Sequence, residues 1–383
     1  LSTGKKIKLN TQIYWRQHND RFLLIRNDPE FYENIHRTNT YGLKTSTSFS
    51  SKAGKSYIGL ENRIETIHST VLGNELKNPV LMNDRDSSYY TKFFRRTTAS
   101  LFFQQSVTKG NLYFNGGFLV NLSNEFRSNS ALYPGLDIGY FLGSKGKLFI
   151  STNRSLRLPS FTDLFYLDPS NEGNVDLEPE ELTSYELGTE WNFSQIKTRI
   201  SVFHDRSNNM IDWLITDSTN VFRATNLSKV ITNGFEFSTI YTNPSRLKEF
   251  QIRSIRMSYS FLDQNHRSNG LDSKYAEDYL KHNIQLSAKI GLFENMLLMV
   301  KHRYVDRNGQ YPDYDHLQNN TVFNEFKPYH LTDLRLSFNY KKITGFINVS
   351  NIFNISYTDI GSLIQPGRWI SIGFRGEMSF GVL

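Results

Sequence analysis

Cysteine is absent from the 383 residues, so no disulfide staples the fold and no thiolate can hold a metal. Long apolar runs are missing too, and mean hydropathy is −0.48. Transmembrane helices are thereby excluded, but a membrane barrel is not, because its lumen-facing polar residues alternate with lipid-facing ones. The opening stretch LSTGKKIKLN has no apolar core and therefore is not a secretory signal; it reads as a mature start or as the interior of a longer precursor. No Pro/Gly/Ser-rich linker or shift of composition divides the chain, so residues 1–383 read as one architecture.

Catalytic patterns are equally scarce. There is no phosphate-binding glycine loop, paired-His metal motif or nucleophile elbow, and the nine His are scattered off any shared ligand spacing. No enzyme activity, metal centre or cofactor is expected. Acidic residues do gather at Asp306, Asp313 and Asp315 and at Asp263, Asp272, Glu277 and Asp278, but without the ordered ligand spacing of a calcium loop; ordinary solvated connectors explain them better. The net charge is +7, yet Lys and Arg are dispersed along the chain with no basic run or basic helix, so nucleic acid is not an expected partner. At a barrel rim such cations suit solvent or the phosphates of outer-membrane lipid.

What the chain does have is two-residue periodicity. Aromatics are 14% of it, with 29 Phe and 21 Tyr, which suits strands and interfacial girdles. In 182–193, Tyr185, Leu187, Thr189, Trp191 and Phe193 share one face, and Ser184, Glu186, Gly188, Glu190 and Asn192 the other. The stretch 282–292 opposes Ile284, Leu286, Ala288 and Ile290 to Asn283, Gln285, Ser287 and Lys289, and 368–380 behaves likewise. The same pattern recurs at 5–17, 38–51, 55–67, 91–106, 111–122, 131–142, 147–155, 196–205, 225–241, 250–261, 296–305, 329–340 and 343–353. About sixteen strands are expected. At 296–300 both faces are apolar, and charged residues such as Arg335 with Asp333 or Arg375 with Glu377 either line an aqueous lumen or pair with one another.

The connectors fix the orientation. Short ones at 51–55, 107–111, 143–147, 194–197, 242–246, 292–295 and 340–343 alternate with long polar ones at 18–37, 67–89, 156–181, 206–224, 262–280 and 306–328. An outer-membrane barrel has short periplasmic turns and long extracellular loops. The fold expected is therefore all-β, an antiparallel transmembrane β-barrel. In the long connectors Tyr166, Trp213, Phe222, Tyr311 and Tyr314, with Phe323 and Tyr329, are candidate ligand-contacting rings; the alternative is that they pack within their loops or anchor at the girdle.

At 156–191 the sequence resembles the TonB-dependent outer-membrane receptors. The element R-x-P-S-F is Arg157, Pro159, Ser160 and Phe161; the stretch N-x-x-L-x-P-E is Asn174, Leu177, Pro179 and Glu180; the strand S-Y-E-L-G is Ser184 to Gly188. Further pieces follow in the family's order: Asn226 with Gly234, Phe235 and Glu236; Asn351, Ile352, Phe353, Asn354 and Tyr357; and Pro366, Gly367 and Arg368 before the last strand. Pro179 and Pro366-Gly367 suit connectors entering strands, so these motifs are expected to serve barrel architecture more than recognition. The strings at 14–42 and 59–73 are similar to the vitamin B12 (cobalamin) receptor branch, with a ferric-siderophore or haem receptor as the competing branch.

The resemblance implies a barrel of twenty-two strands with a globular plug, of which this chain would be the C-terminal part, without the plug and about six strands. It further implies active transport of a scarce large nutrient, powered by the TonB-ExbB-ExbD complex through the plug, and a surface lipoprotein that caps the loops in the cobalamin branch. A passive sixteen-stranded porin fits the strand count but not the motifs.

Overall fold

The computed structural model describes residues 7–82, 88–124, 131–215, 221–227, 229–245, 250–266, 279–315, 320–359 and 363–377. Strands β1 (Lys8–Leu23), β2 (Glu33–Ser51), β3 (Gly54–Ser69), β4 (Asn74–Leu81), β5 (Tyr89–Lys109), β6 (Leu112–Ser123), β7 (Ala131–Leu142) and β8 (Gly146–Arg157) precede a single helical turn, α1 (Phe161–Phe165). Then come β9 (Leu167–Asp168), β10 (Asn171–Glu172), β11 (Glu180–Phe193), β12 (Ile196–Asn208), β13 (Met210–Ile215), β14 (Phe222–Leu227) and β15 (Val230–Thr242). The chain continues through β16 (Gln251–His266), β17 (Leu280–Phe293), β18 (Met296–Arg307), β19 (Gln310–Asp315), β20 (Asn320–Glu325), β21 (Tyr329–Tyr340), β22 (Ile343–Ser350) and β23 (Trp369–Gly376).

Seventeen of these strands form one sheet. Setting aside β4, which adds only to β5, sixteen run as an antiparallel meander in chain order from β1 to β23. The expected count of about sixteen is met. Strands β1 and β23 are the edges, and among the described residues neither has a second partner.

Two-residue turns join β2 to β3, β5 to β6, β11 to β12, β17 to β18 and β21 to β22, all at one end. Such tight hairpins need left-handed backbone, and Gly110, Ser194 and Lys341 supply it with φ of 58°, 47° and 52°. The opposite end carries the long connectors.

The two faces of the sheet differ as the periodicity requires. On β11, Tyr185 and Leu187 are 46% and 57% exposed, and their row continues through Ile150, Ile200 and Val202 on the neighbouring strands. A contiguous apolar face of this extent would aggregate in water; hydrocarbon suits it. The other face is polar: Arg199 donates to Glu186 at 2.8 Å and Glu190 at 2.7 Å from the adjacent strand. Motif glycines make room for rings on this side. A Cβ on Gly188 would fall 2.4 Å from the Phe149 ring and one on Gly234 2.0 Å from that of Phe203, so no larger residue fits either site without displacing an aromatic.

Three sequence-based boundaries are corrected. The connector expected at 18–37 shrinks to 24–32, because β1 and β2 continue past the membrane zone, where both faces meet water and alternation fades. The strand expected at 225–241 is two, β14 and β15, since the chain leaves a small hairpin before rejoining the wall. The connectors at 67–89, 156–181, 206–224 and 306–328 hold strands of their own, β4, β9, β10, β13, β14, β19 and β20, too short or too polar to show a period. The last residues of the strand expected at 368–380 lie outside the described residues.

Replacing Leu187 by Arg puts a charge in the hydrocarbon zone and is expected to cost about 2–4 kcal/mol of stability in lipid vesicles. Lys289→Gln, on the opposite face, should change the same urea-unfolding free energy by less than about 0.5 kcal/mol.

Candidate functional site

The long connector from β8 to β11 does not stay above its own strands. Ser160 caps α1 by accepting from Asp163 N at 3.0 Å, while the Asp163 carboxylate accepts from Ser160 N at 2.9 Å. This capping box turns the chain toward β5. There Phe161 and Phe165 pack on Phe94 at 5.8 and 4.8 Å, and the buried Arg96 donates to Pro159 O at 2.5 Å and lies 4.9 Å from the Phe161 ring. Farther along, Tyr32 of the β1–β2 connector donates to Leu167 O at 2.7 Å. The connector is thus a strap across the long-loop end of the sheet, fastened to strands distant in sequence.

A second set of bonds holds the strap to the wall and to the hairpin β13–β14. Glu180 accepts from Arg157 Nε and Nη2, both at 2.6 Å, and from Ile211 N at 2.7 Å. Asn226 donates to Glu178 O and Asn209 O at 2.9 and 2.7 Å and accepts from Glu178 N at 2.8 Å. Asn174 fastens the loop itself, donating its N–H to Asp163 O and accepting from Asp176 N. The motif residues Arg157, Pro159, Ser160, Phe161, Asn174 and Glu180 are therefore the fastenings of the strap, with Leu177 buried beneath it, and Pro179 sits directly before β11. The family motif at the last connector works the same way. Asn351, with φ of 49°, donates its backbone N–H to Asp333 and its side-chain amide to Ile355 O, each at 2.8 Å. Asn354 accepts from Arg368 N at 2.8 Å, and its Oδ1 would lie 2.5 Å from a Cβ on Gly367. Pro366 contributes its carbonyl to Asn351 at 3.5 Å, whereas Phe353 stays 67% exposed.

The candidate rings divide into two groups. Trp213 is buried in a cluster with Leu164, Leu177, Ile211 and Ala224, against which Tyr166 and Phe222 pack half-buried. Trp213 follows the alternative of packing within its connector: the residue is 8% exposed, because β13 turns it under the strap. Tyr311 is half-buried 5.2 Å from Phe326, and Tyr329 is buried 4.4 Å from Tyr357. The side chains of Tyr314 and Phe323 lie outside the described residues; their backbones belong to β19 and β20. Arg96, Tyr32 and Asn209 were not legible as site residues, since their partners lie far away in sequence.

Of the charged pairs, Arg375 bridges to Glu377 at 3.4 Å, whereas Arg335 lies over the Phe346 ring at 4.0 Å and donates to Ser337 instead of meeting Asp333. Among the described residues no three His, Asp or Glu side chains converge as for a metal ion, and Asp272, Glu277 and Asp278 lie outside them. An apolar hollow of about 390 Å³ lies among Leu136, Ile150, Leu187 and Val202, on the lipid side of the wall. Acyl chains suit it, and it is remote from the strap.

Burial lifts the Tyr166 hydroxyl above the ordinary tyrosine range, reinforced by its bond to Asp168 and by Tyr32. Burial raises Asp168 as well, but hydrogen bonds from Ser170 N, Asn171 and Tyr166 outweigh it and hold the carboxyl below its usual 3.8.

Comparison with known proteins agrees with this geometry. Residues 2–352 match the family described as TonB dependent receptor-like, beta-barrel, and the chain belongs to that family. No curated protein sequence matches it. It is similar in fold to a ferric enterobactin receptor of Pseudomonas aeruginosa, at 12% identity and a TM-score of 0.69, over 96% of this chain and 59% of that one. The FrpB iron transporter of Neisseria meningitidis gives 14%, 0.69, 96% and 59%, and the copper transporter OprC 12%, 0.69, 96% and 62%. The chain spans about three-fifths of the length of these structures.

Glu180→Ala should release the strap and the β13–β14 hairpin, lowering local stability at Ile211 by about 1–3 kcal/mol in amide exchange while leaving the wall strands protected. A carboxyl held low in the fold contributes stability that is complete above its unfolded value of 3.8 and is lost as pH falls through its folded value. Exchange at Ser170 and Asn171 is therefore expected to accelerate below about pH 4, and Asp168→Asn to abolish that acceleration.

Proposed function

We propose that the chain forms the wall and outer connectors of an outer-membrane importer, which binds a scarce, large nutrient at the long-connector end and admits it with energy from TonB, ExbB and ExbD. The observation that carries this reading is the strap. A wall built for passive diffusion gains nothing from a connector drawn across its mouth and fastened at Arg96 and Tyr32, whereas a receptor needs a shaped surface there. The exposed sides of Tyr166, Phe222 and Tyr311, with Tyr314 on the same hairpin as Tyr311, are the rings assigned to cargo contact. Trp213 supports Tyr166 from beneath, 6.4 Å away and nearly perpendicular to it.

Two cargoes compete. The strings at 14–42 and 59–73 favour cobalamin, and with it a lipoprotein over the connectors; the solved structures similar to this chain carry names that speak of ferric enterobactin, iron and copper, which favours a ferric siderophore or metal complex. TonB would act through a plug encoded with the rest of the protein, a proposal supported by the three-fifths coverage of the similar structures. No catalytic step is required in either case.

Cells whose sole receptor is the full-length protein should accumulate labelled cobalamin or a labelled ferric siderophore, and deletion of TonB should abolish the uptake. Equal accumulation with and without TonB would make the protein a passive pore.

A further inference from the structure

On its lipid side the wall is not evenly filled. Across β7, β8, β11 and β12 one row is Ile138, Ile150, Leu187 and Val202, and the next toward the long connectors is Leu136, Thr152, Tyr185 and His204. The short side chains Thr152 and Val202 stand beside longer ones, and an apolar hollow of about 390 Å³ is left between them. It lies in the middle of the sheet, where each of these strands has a partner on both sides, and it faces away from the barrel interior.

The hollow has a polar edge. One step farther toward the connectors, Arg154, Thr183 and Arg206 stand opposite one another in a row. With strands about 4.8 Å apart, the two arginine positions are roughly 10 Å from each other. His204 Nδ1 donates to Asn233 Oδ1 at 2.7 Å, and its Nε2 accepts from Arg206 Nε at 3.0 Å. The exposed Arg206 is thus held by Nε and not by the terminal nitrogens, which are the pair that grips an oxyanion as a fork. Tyr185 lies 6.5 Å from the His204 ring, between the arginine row and the apolar rows. Two acids stand on this face nearby: Glu181, bonded to Arg154 at 2.6 Å, and Asp263, beyond Asn233 in its row.

The height of this edge in the membrane follows from the strand. Trp191 and Phe193 stack 5.5 Å apart at the short-turn end of β11. From Phe193 to Tyr185 the strand rises about 26 Å, or about 20 Å along the membrane normal at a tilt of about 40°. Tyr185, His204 and Arg206 therefore stand at the outer margin of an apolar band about 25 Å tall, where lipid headgroups begin.

We propose that the hollow and its edge bind one phosphorylated lipid of the outer leaflet. An acyl chain lies over Thr152 and Val202, and Arg206 grips the phosphate, assisted by the hydroxyls of Thr183 and Tyr185. Arg154 divides its charge between Glu181 and the phosphate. Charge complementarity selects this occupant: an uncharged acyl lipid gains nothing from Arg206, and a free phosphate gains nothing from the apolar hollow beneath it. The site is remote from the strap and goes beyond the import reading, on which it does not rest.

The test is native mass spectrometry of the full-length protein, stripped of lipid in a neutral detergent. Three probes are compared: dioleoyl phosphatidic acid, dioleoylglycerol, which has the same chains without the phosphate, and inorganic phosphate. One phosphatidic acid per protein should be retained at concentrations where neither of the others is. Arg206→Gln should weaken that retention by about tenfold. Val202→Phe, which fills the hollow, should abolish it. Glu181→Gln, which releases Arg154, should tighten it about twofold, a gain that a misfolded wall cannot give. Equal retention of dioleoylglycerol would make the hollow a general slot for acyl chains, and equal retention of inorganic phosphate would make its edge a plain anion site; either overturns the assignment. So does failure to retain phosphatidic acid, or equal retention by the parent and the Arg206→Gln protein.

Discussion

Every backbone N–H and C=O in a lipid-immersed strand must find its partner on the next strand, because hydrocarbon offers none. That constraint explains why sixteen strands follow one another with no crossover, why their registers run almost unbroken, and why each residue's parity assigns it to lipid or to the interior. A slip of one position would put Glu186 in hydrocarbon and Leu187 in water. The irregularities, at Ile252/Ser254, Leu280/His282 and Gly291/Phe293, stand near strand ends, where a missed bond can be made good by solvent.

With the wall fixed, the two ends are free to diverge. At one end the turns are as short as chemistry permits. At the other the connectors carry the variable structure, and the family's sequence signature lies mostly there. Arg157, Glu180, Asn174 and Asn226 close a network of exposed and half-buried bonds that fastens the strap to the wall and to the β13–β14 hairpin. Trp213 and Leu177, buried beneath the strap, hold Tyr166 and Phe222 packed against them, which limits the places those rings can take.

The polar face combines two behaviours. Where acids and bases alternate, as at Glu186, Glu190 and Arg199, charges satisfy one another and the wall is inert. Between β16 and β21, Arg256, Lys301 and Arg303 stand on the same face without such a pair among the described residues.

The sequence alone determined the wall strands, their number, their lipid-facing rows and the end at which long connectors lie, because a period of two and the spacing of turns are local properties of the chain. Pro179 before a strand was legible for the same reason. Only the tertiary structure decided that the strap crosses to Arg96 and Tyr32 and that Trp213 is buried beneath it. Those facts depend on which residues meet across strands far apart in sequence, and no local pattern encodes that.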